Sequence, residues 1–369
     1  MAAMDARFLR PIVNYLALWL IVPEYDFEKR EISGNNVKTV VRSVTIGLSI
    51  IAPLAFSIYA VIAIETSIGP YLKVVEVVIF VLGSLAVVTH VADMMARRNE
   101  SRKFVRLMSL LDETLGPIEP GFYAACVRRF ICCNVAFFAA VSYVCYQYVV
   151  RIGAVDYIKH PPELILGYRN FLLTFVLVHA VQNMRLKCRA ISDALKTIKY
   201  DGEGASVSKI KTCESAYLLL SSAQASFNEF FGRQLLIMTL YVGGTALFLC
   251  LRVYVDPSRL PTLAPVLSLG ILMTMQFAVM LSCDLVMKES EKVLVLCVEL
   301  QEKFPEDSAE YHELRNLCDK LTLRKIKFTA AHCFDVDRST IFSLVSNTVT
   351  YFIAIIQFIE KDSKHGGKN

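Results

Sequence analysis

The sequence predicts an all-α membrane protein with seven transmembrane helices, a cytoplasmic N-terminus, an extracellular C-terminus and a cytoplasmic helical anchor region. Apolar residues make up 55% of the 369 positions, charged residues only 20%, and tryptophan occurs once, which is atypical of soluble domains. Seven apolar stretches reach the roughly 20 residues that a helix needs to cross a bilayer. Lysine and arginine are concentrated in alternate connections, which indicates the orientation.

The seven stretches are predicted as spans one to seven, with short connections on one side and long ones on the other. They cover residues 40–64, 71–94, 130–150, 163–184, 234–255, 261–283 and 340–359. Most of the 39 lysines and arginines precede span one or follow an even-numbered span, so the positive-inside rule places those segments in the cytoplasm. An odd number of spans then places the C-terminus outside.

This topology divides the chain into predicted segments. These are a cytoplasmic N-terminal segment (1–39), spans one to four (40–184), a cytoplasmic helical extension (185–233), spans five and six (234–283), cytoplasmic anchor helices (284–338), helix seven (339–360) and an extracellular tail (361–369). Residues 12–22 form an apolar patch that is too short to span and lacks a signal-peptide cleavage site. We expect a short interfacial or docking helix there.

Apolar residues recur at helical spacing in the two long cytoplasmic segments. They are Ala216, Leu219, Leu220, Ala223 and Phe227, followed by Val293, Leu296 and Leu300, and then Leu314, Leu317, Leu321 and Ile326. Two interpretations remain open at this point. In the first, the stripes pack against each other within one chain. In the second, they join subunits, because apolar stripes that remain uncovered below a membrane tend to pair between chains.

No residue pattern indicates an enzyme, a metal site or a cofactor. The motifs H-E-x-x-H and G-x-S-x-G do not occur, and His332 beside Cys333 has no second ligand pair nearby. The eleven cysteines are scattered and imply no disulfide framework, although Cys145 and Cys250 both lie near the outer ends of spans. The net charge of +5 requires no nucleic-acid partner, since basic residues on a cytoplasmic face attract anionic membrane lipid.

Span seven carries one stripe of small and polar residues. Its members are Ser339, Ser343, Ser346, Thr350, Ala354, Gln357 and Lys361, whose spacing follows the helical period. Small residues allow close helix packing, but an unsatisfied amide in hydrocarbon costs about 2 to 7 kcal/mol, so Gln357 favours a hydrated passage. Ile353, Ile356 and Phe358 are candidates for an apolar constriction beside it. Glu360 and Asp362 are predicted at the outer mouth, where carboxylates from several subunits concentrate cations, with Lys361 between them.

A second group of polar residues is predicted in the outer halves of the other spans. Glu76 in span two and Arg169 in span four are charges that need a cavity or a partner, and we expect them to pair. Tyr143, Tyr146, Gln147, Asn170 and Gln276 are predicted at similar depth. Together these residues suit a small-molecule pocket between helices, although tyrosine is also common at any membrane boundary.

Three stretches of this chain resemble insect gustatory receptors. Thr350-Tyr351, five apolar or small residues and then Gln357-Phe358 are similar to the TYhhhhhQF signature of that family. Residues 328–339 resemble the family's lead-in to its seventh helix, and residues 227–232 resemble the segment before span five. The sharpest match covers the last part of the chain.

The resemblance implies a tetrameric ligand-gated cation channel of the insect chemoreceptor superfamily, with the seventh helices around one central pore. It further implies an intracellular anchor and a ligand pocket in the outer half of each subunit. The family's gate falls on Gln357 and Phe358, and its motif tyrosine on Tyr351. Phe352 replaces the acidic residue typical of sugar receptors, which disfavours a sweet tastant and leaves bitter, fructose-type, contact-pheromone or internal sensing open.

The implied partners are a small-molecule tastant, permeating cations, membrane lipid, and subunits of the same or other gustatory receptors in a homo- or heterotetramer. The implied location is the plasma membrane of gustatory receptor neurons. Three alternatives remain. A metabotropic seven-helix receptor is disfavoured by the reversed orientation, a solute carrier by the lack of an internal repeat, and an odorant-receptor-type subunit by the spacing of Tyr351 from Gln357 and Phe358.

Overall fold

The protein is almost entirely helical in the computed structural model, which describes residues 10–18, 25–26, 31–32, 44, 55, 70–116, 120–152, 161–198, 205–255 and 263–366. The helices are α1 (Arg10–Leu18), α2 (Pro70–Ala96), α3 (Arg98–Leu115), α4 (Pro120–Ile152), α5 (Pro161–Lys196), α6 (Ala205–Val255), α7 (Leu263–Gln301), α8 (Ala309–Leu323) and α9 (Arg338–Gly366). Two antiparallel hairpins pair β1 (Tyr25–Asp26) with β2 (Glu31–Ile32), and β3 (Thr329–Ala330) with β4 (Phe334–Asp335).

Within the described residues, five helices are long and apolar enough to cross a membrane, namely α2, α4, α6, α7 and α9. They carry predicted spans two, three, five, six and seven, and α5 carries span four. Predicted span one lies outside the described residues except at positions 44 and 55. The expected short helix in the N-terminal segment is α1, whose Ile12 and Leu16 are buried in the main apolar core.

Two helices are much longer than a bilayer is thick. At about 1.5 Å per residue, the 51 residues of α6 extend roughly 76 Å and the 39 residues of α7 roughly 58 Å, against a hydrocarbon core of about 30 Å. Their excess length enters the bundle that we call the anchor region, defined as residues 185–196, 205–233 and 284–335. The predicted extension is therefore shared by two helices: residues 185–196 belong to α5, and residues 205–233 are continuous with span five in α6.

The apolar stripes of the anchor region are covered within the chain. Leu220, Phe227, Val293, Leu314 and Leu317 are completely buried, since α5, α6, α7 and α8 pack their apolar faces against one another. These five residues pack within one chain, as the simpler interpretation predicts, because neighbouring helices of the same chain already exclude water from them. Pairing of the anchor region between subunits stays a prediction.

α6 lies at the centre of the fold. It packs against α2, α3, α5, α7, α8, α9 and β3. α9 contacts α6 and α7, so one side of this last helix is held by the bundle and the other side is open. The arrangement of α6 and α9 therefore determines what the final helix presents to its surroundings.

Candidate functional site: the open face of the last helix

The N-terminus of α9 is fixed by a side-chain cap. The carboxylate of Asp337 accepts hydrogen bonds from the backbone nitrogen of Thr340 at 3.0 Å and from the hydroxyl of Ser339 at 2.6 Å. Burial by itself would raise the pKa of Asp337, but the hydrogen bonds from Ser339 and Thr340 outweigh it and hold the pKa below its usual value. Asp337 is therefore an ionised cap at neutral pH.

The β3–β4 hairpin joins this cap to α6. The amide nitrogen of Asn228 in α6 donates to the carbonyl of Lys327 at 2.8 Å, and its amide oxygen accepts from the backbone nitrogen of Thr329 at 3.3 Å. Phe328 is completely buried with its ring perpendicular to that of Phe227, 5.5 Å between centroids. The two stretches that resemble gustatory receptors before spans five and seven therefore contact each other.

Charged groups connect α2, α6 and the turn of the hairpin. Asp93 of α2 is buried and pairs with Arg233 of α6 and with Arg97, whose Nε lies 3.5 Å away. Arg97 also pairs with Glu229 of α6 at 3.2 Å, and Glu229 lies 3.2 Å from Nε2 of His332 in the turn. This chain of contacts links the end of span two to the segment that leads into α9.

One side of α9 is packed on the bundle. Phe352, Ile355 and Ile356 contact the buried cluster formed by Phe248, Leu249 and Leu251 of α6. Ile356, which was expected beside the pore constriction, contacts this cluster of α6 in the structure. At about 100° per residue its side chain lies roughly 100° from that of Gln357, on the side that faces α6.

The other side of α9 carries the predicted polar stripe. Ser339, Ser343, Ser346, Thr350, Gln357 and Lys361 are exposed, and Ala354 is half-buried. Tyr351, Ile353 and Phe358 flank the stripe and are 62%, 50% and 63% exposed. The residues predicted as gate, lining and motif therefore share the open face of the helix.

The predicted outer mouth is described only in part. Glu360 is exposed, and its Oε1 accepts a hydrogen bond from the hydroxyl of Tyr254 of α6 at 3.1 Å. The side chain of Asp362 lies outside the described part of the chain. Tyr254 therefore fixes the direction of one carboxylate at the end of the helix.

The residues predicted for a ligand pocket differ in burial. Arg169 of α5 is buried at 4% exposure, and within the described residues its Nε and Nη2 have no hydrogen-bond partner. Gln276 of α7 is also buried; its amide nitrogen donates to the hydroxyl of Thr239 at 2.7 Å, while its amide oxygen lacks a described partner. Asn170 is half-buried. Arg169 and Gln276 thus provide buried polar atoms with unused hydrogen-bonding capacity.

The other predicted pocket residues are placed differently. Tyr143 and Tyr146 are exposed on α4, at 38% and 63%, and Gln147 is half-buried. The side chain of Glu76, expected to pair with Arg169, lies outside the described part. Cys145 and Cys250 both carry free thiols.

The sequence prediction missed the polar contacts at the end of span two. Asp93 was placed inside predicted span two without a functional or structural role. Asn228 and Glu229 were noted only as part of the segment that resembles gustatory receptors before span five. A carboxylate within a membrane-length helix was the available signal, because such a charge needs a partner. The partner, Arg233, lies 140 positions away in the chain and could not be assigned from spacing.

Long apolar helices around one core, with a continuous central helix and a capped last helix, define a multi-pass α-helical membrane protein. Comparison with known families makes this more specific. A profile of the 7tm chemosensory receptor family matches residues 12–362, and the chain belongs to that family. The recognition of a chemosensory receptor is thereby confirmed, and the family is a receptor class and not an enzyme class.

Solved structures agree on the fold. The insect olfactory receptor OR5 from Machilis hrabei is similar at 13% identity and a TM-score of 0.61, covering 96% of this chain and 100% of that receptor. The same receptor in complex with eugenol is similar at 14% identity and a TM-score of 0.59, with equal coverage. No curated protein sequence matches the chain.

Proposed function

We propose that the chain is a gustatory receptor subunit that assembles into a tetrameric, ligand-gated, non-selective cation channel and opens on binding a small-molecule tastant. Membership of the chemosensory receptor family supports the receptor role. The spacing of Tyr351 from Gln357 and Phe358 supports the gustatory type. The expected location is the plasma membrane of gustatory receptor neurons.

The observation that carries the proposal is the open polar face of α9. A membrane helix that leaves hydroxyl groups and an amide uncovered exposes them to lipid unless water or another subunit covers them. Copies of the chain arranged around a shared axis would cover this face with a water-filled path, lined by one α9 from each subunit. The apolar face held by α6 would then point away from the axis.

Gln357 and Phe358 are the proposed gate within this arrangement. Thr350, Ile353 and Ala354 would line the path on the cytoplasmic side of it. Phe358 supplies an apolar surface that closes a narrow pore by dewetting, and Gln357 supplies a polar group that stabilises water once the pore widens. Glu360 would contribute negative charge at the outer mouth, where it attracts cations.

The proposed ligand site lies among buried polar atoms of α5 and α7. Arg169, Asn170 and Gln276 offer donors and an acceptor in an apolar surrounding, which is the composition of a small-molecule site. The related olfactory receptor is described in complex with eugenol, a small organic molecule. Binding opens the channel only if the ligand has higher affinity for the open state.

Patch-clamp recording of the chain expressed alone in a cell line tests the gate. Phe358→Ala should give a basal cation current at unchanged surface expression, because the apolar closure is removed. Phe342→Ala is the matched control, since Phe342 is an equally exposed phenylalanine of α9, at 67%, far from Gln357. A basal current in neither variant, or in both, would contradict the gate assignment.

An odorant-receptor-type subunit is the second candidate, favoured by the structural similarity to an olfactory receptor. A panel of sugars, alkaloids, cuticular lipids and volatile odorants, including eugenol, separates the two by calcium entry. Responses confined to volatile compounds would favour the olfactory assignment.

Epitope tags at both termini, stained in intact cells, test for a metabotropic receptor, because that class exposes its N-terminus.

A further inference from the structure

A pair of thiols joins α7 and α8 within the anchor region. The sulfur atoms of Cys297 in α7 and Cys318 in α8 lie 3.0 Å apart, and the thiol of Cys297 also lies 3.5 Å from the carbonyl oxygen of Leu314. A disulfide bond has about 2.05 Å between its sulfurs, so the two sulfurs are about 1 Å from bonding distance. Both residues are in the part of the chain predicted to face the cytoplasm.

We propose that Cys297 and Cys318 form a reversible redox modification site that is a dithiol at rest and a disulfide after oxidation by a peroxide. Cytosolic disulfides are transient and regulatory in most proteins, since the compartment keeps thiols reduced. The site is independent of the proposed channel gate. It would be present whether the receptor responds to tastants or to odorants.

The two thiols differ in a way that suits a stepwise reaction. Cys318 is half-buried and accessible to a small oxidant, whereas Cys297 is completely buried. The hydrogen bond between the two thiols lowers the pKa of Cys318, which favours its reactive thiolate form. Cys318 is therefore the attacking residue and Cys297 the resolving one.

The chemistry balances with hydrogen peroxide as the oxidant. The Cys318 thiolate attacks one peroxide oxygen, the O–O bond breaks, and the sulfur becomes a sulfenic acid while hydroxide leaves and takes a proton as water. The Cys297 sulfur then attacks the sulfenic sulfur, the S–S bond forms as the S–O bond breaks, and the hydroxyl group leaves as a second water with the Cys297 proton. Two thiols are oxidised, one peroxide is reduced to two waters, and a dithiol reductant reverses the reaction by exchange.

Other uses of this cluster are less consistent with the structure. Among the described residues, no group of three histidine, cysteine, aspartate or glutamate side chains is positioned to hold a metal ion, which leaves the dithiol without further ligands. The disulfide would connect α8 covalently to α7. Ion pairs already connect α8 to α6, between Lys320 and Glu214 and between Glu313 and Lys211.

Mass spectrometry of the full-length protein tests the proposal. Membranes are treated with hydrogen peroxide, free thiols are alkylated, and the protein is digested without reduction. We expect one linked peptide pair joining Cys297 to Cys318, lighter by two hydrogens than the separate peptides and released by dithiothreitol. The linked pair should persist in Cys333→Ser, which removes an exposed thiol of the same region, and disappear in Cys318→Ser.

The same samples provide a second readout. Oxidation should raise the melting temperature of the wild-type protein and leave that of Cys318→Ser unchanged, because only the wild type gains the cross-link. Oxidation of Cys333 with no Cys297–Cys318 link in the wild type would overturn the proposal. A link from Cys318 to a second chain would overturn it as well.

Discussion

Gly232 of α6 lies directly against the turn of the β3–β4 hairpin at Ala331. A Cβ atom at position 232 would meet the backbone nitrogen of Ala331 at 3.0 Å and the carbonyl oxygen of Thr329 at 3.2 Å. Ala331 and His332 both have positive φ, at 51° and 59°, so the turn is already in a conformation that most residues avoid. Glycine at 232 therefore permits the close approach of the central helix to the segment that leads into α9.

Replacement of Gly232 by alanine should displace the hairpin. The added methyl group meets backbone atoms that cannot rotate away, and overpacking of this kind costs about 1 to 3 kcal/mol. Because the hairpin ends at the cap of α9, we expect a lower melting temperature together with a shifted concentration dependence of the agonist response. Both are measurable on membranes with equal receptor content.

Gly244→Ala is the matched control for this change. Gly244 lies in the same helix, and among the described residues a Cβ there would meet the Ile79 and Leu82 side chains, at 3.6 and 3.8 Å. These are ordinary van der Waals distances, and alanine favours helix over glycine, so this variant should be as stable as the wild type or slightly more stable. Equal melting temperatures and equal agonist responses in the two alanine variants would show that the close contact at Gly232 is unimportant.

Loss of the Asp337 cap should destabilise the first turn of α9. Asp337→Ala removes the acceptor of the Ser339 and Thr340 hydrogen bonds and should lower stability by about 1 kcal/mol. Asp337→Asn keeps a side-chain oxygen that can cap the helix, so this variant should lose less stability than Asp337→Ala. Thermal unfolding of the three solubilised proteins measures the difference, and an asparagine variant as unstable as the alanine variant would argue against capping.

The sequence was sufficient to predict the class of fold and the polar face of α9, because both follow from local patterns. Hydropathy over about 20 residues locates spans, and the 3.6-residue period alone places Thr350 and Gln357 on one face. Burial on the other face could not be predicted, since it depends on which helix α9 meets. Ile356 illustrates this: it is as apolar as Ile353, yet it contacts α6.

Tertiary partners explain the remaining differences. Tyr143 and Tyr146 have the composition of pocket residues, but their exposure depends on how α4 is rotated relative to α5, which no local pattern determines. The hairpin between α8 and α9 was also not predicted, because its strands have two residues each and are held by contacts from α6. Long-range contacts of this kind are set by the whole fold.

Arg169 should be dispensable for stability and necessary for the ligand response. A buried guanidinium with two nitrogens that lack a partner among the described residues is costly, so an apolar replacement of similar volume, Arg169→Met, should leave the melting temperature equal or higher. If Arg169 binds ligand, the same variant should lose agonist-evoked current. Gln276→Leu is the comparison variant for the buried amide of α7. Loss of stability with unchanged current would assign Arg169 a structural role.

The ion pairs of Glu289 should stabilise the contact between α7 and α5 in a pH-dependent way. Its Oε1 lies 3.0 Å from Arg185 and 3.0 Å from Arg189, and its Oε2 lies 3.6 Å from Lys292. Burial opposes ionisation, but these cations outweigh it and hold the pKa of Glu289 below the usual glutamate value. A lowered folded-state pKa means that the stabilisation is present above the unfolded-state pKa and is lost as pH falls through the folded-state pKa.

Glu289→Gln tests this arrangement. Removing the charge leaves two arginines facing each other, and we expect a loss of about 2 kcal/mol at neutral pH, less than for a fully buried pair because Arg189 is half exposed. On acidification the wild type should lose stability toward the level of the variant, so the two melting temperatures converge below the pKa of glutamate. Glu291→Gln, which removes an exposed carboxylate of the same helix, should leave the pH dependence unchanged. If the melting temperatures of the wild type and of Glu289→Gln fall in parallel as the pH is lowered, this carboxylate does not hold the two helices together.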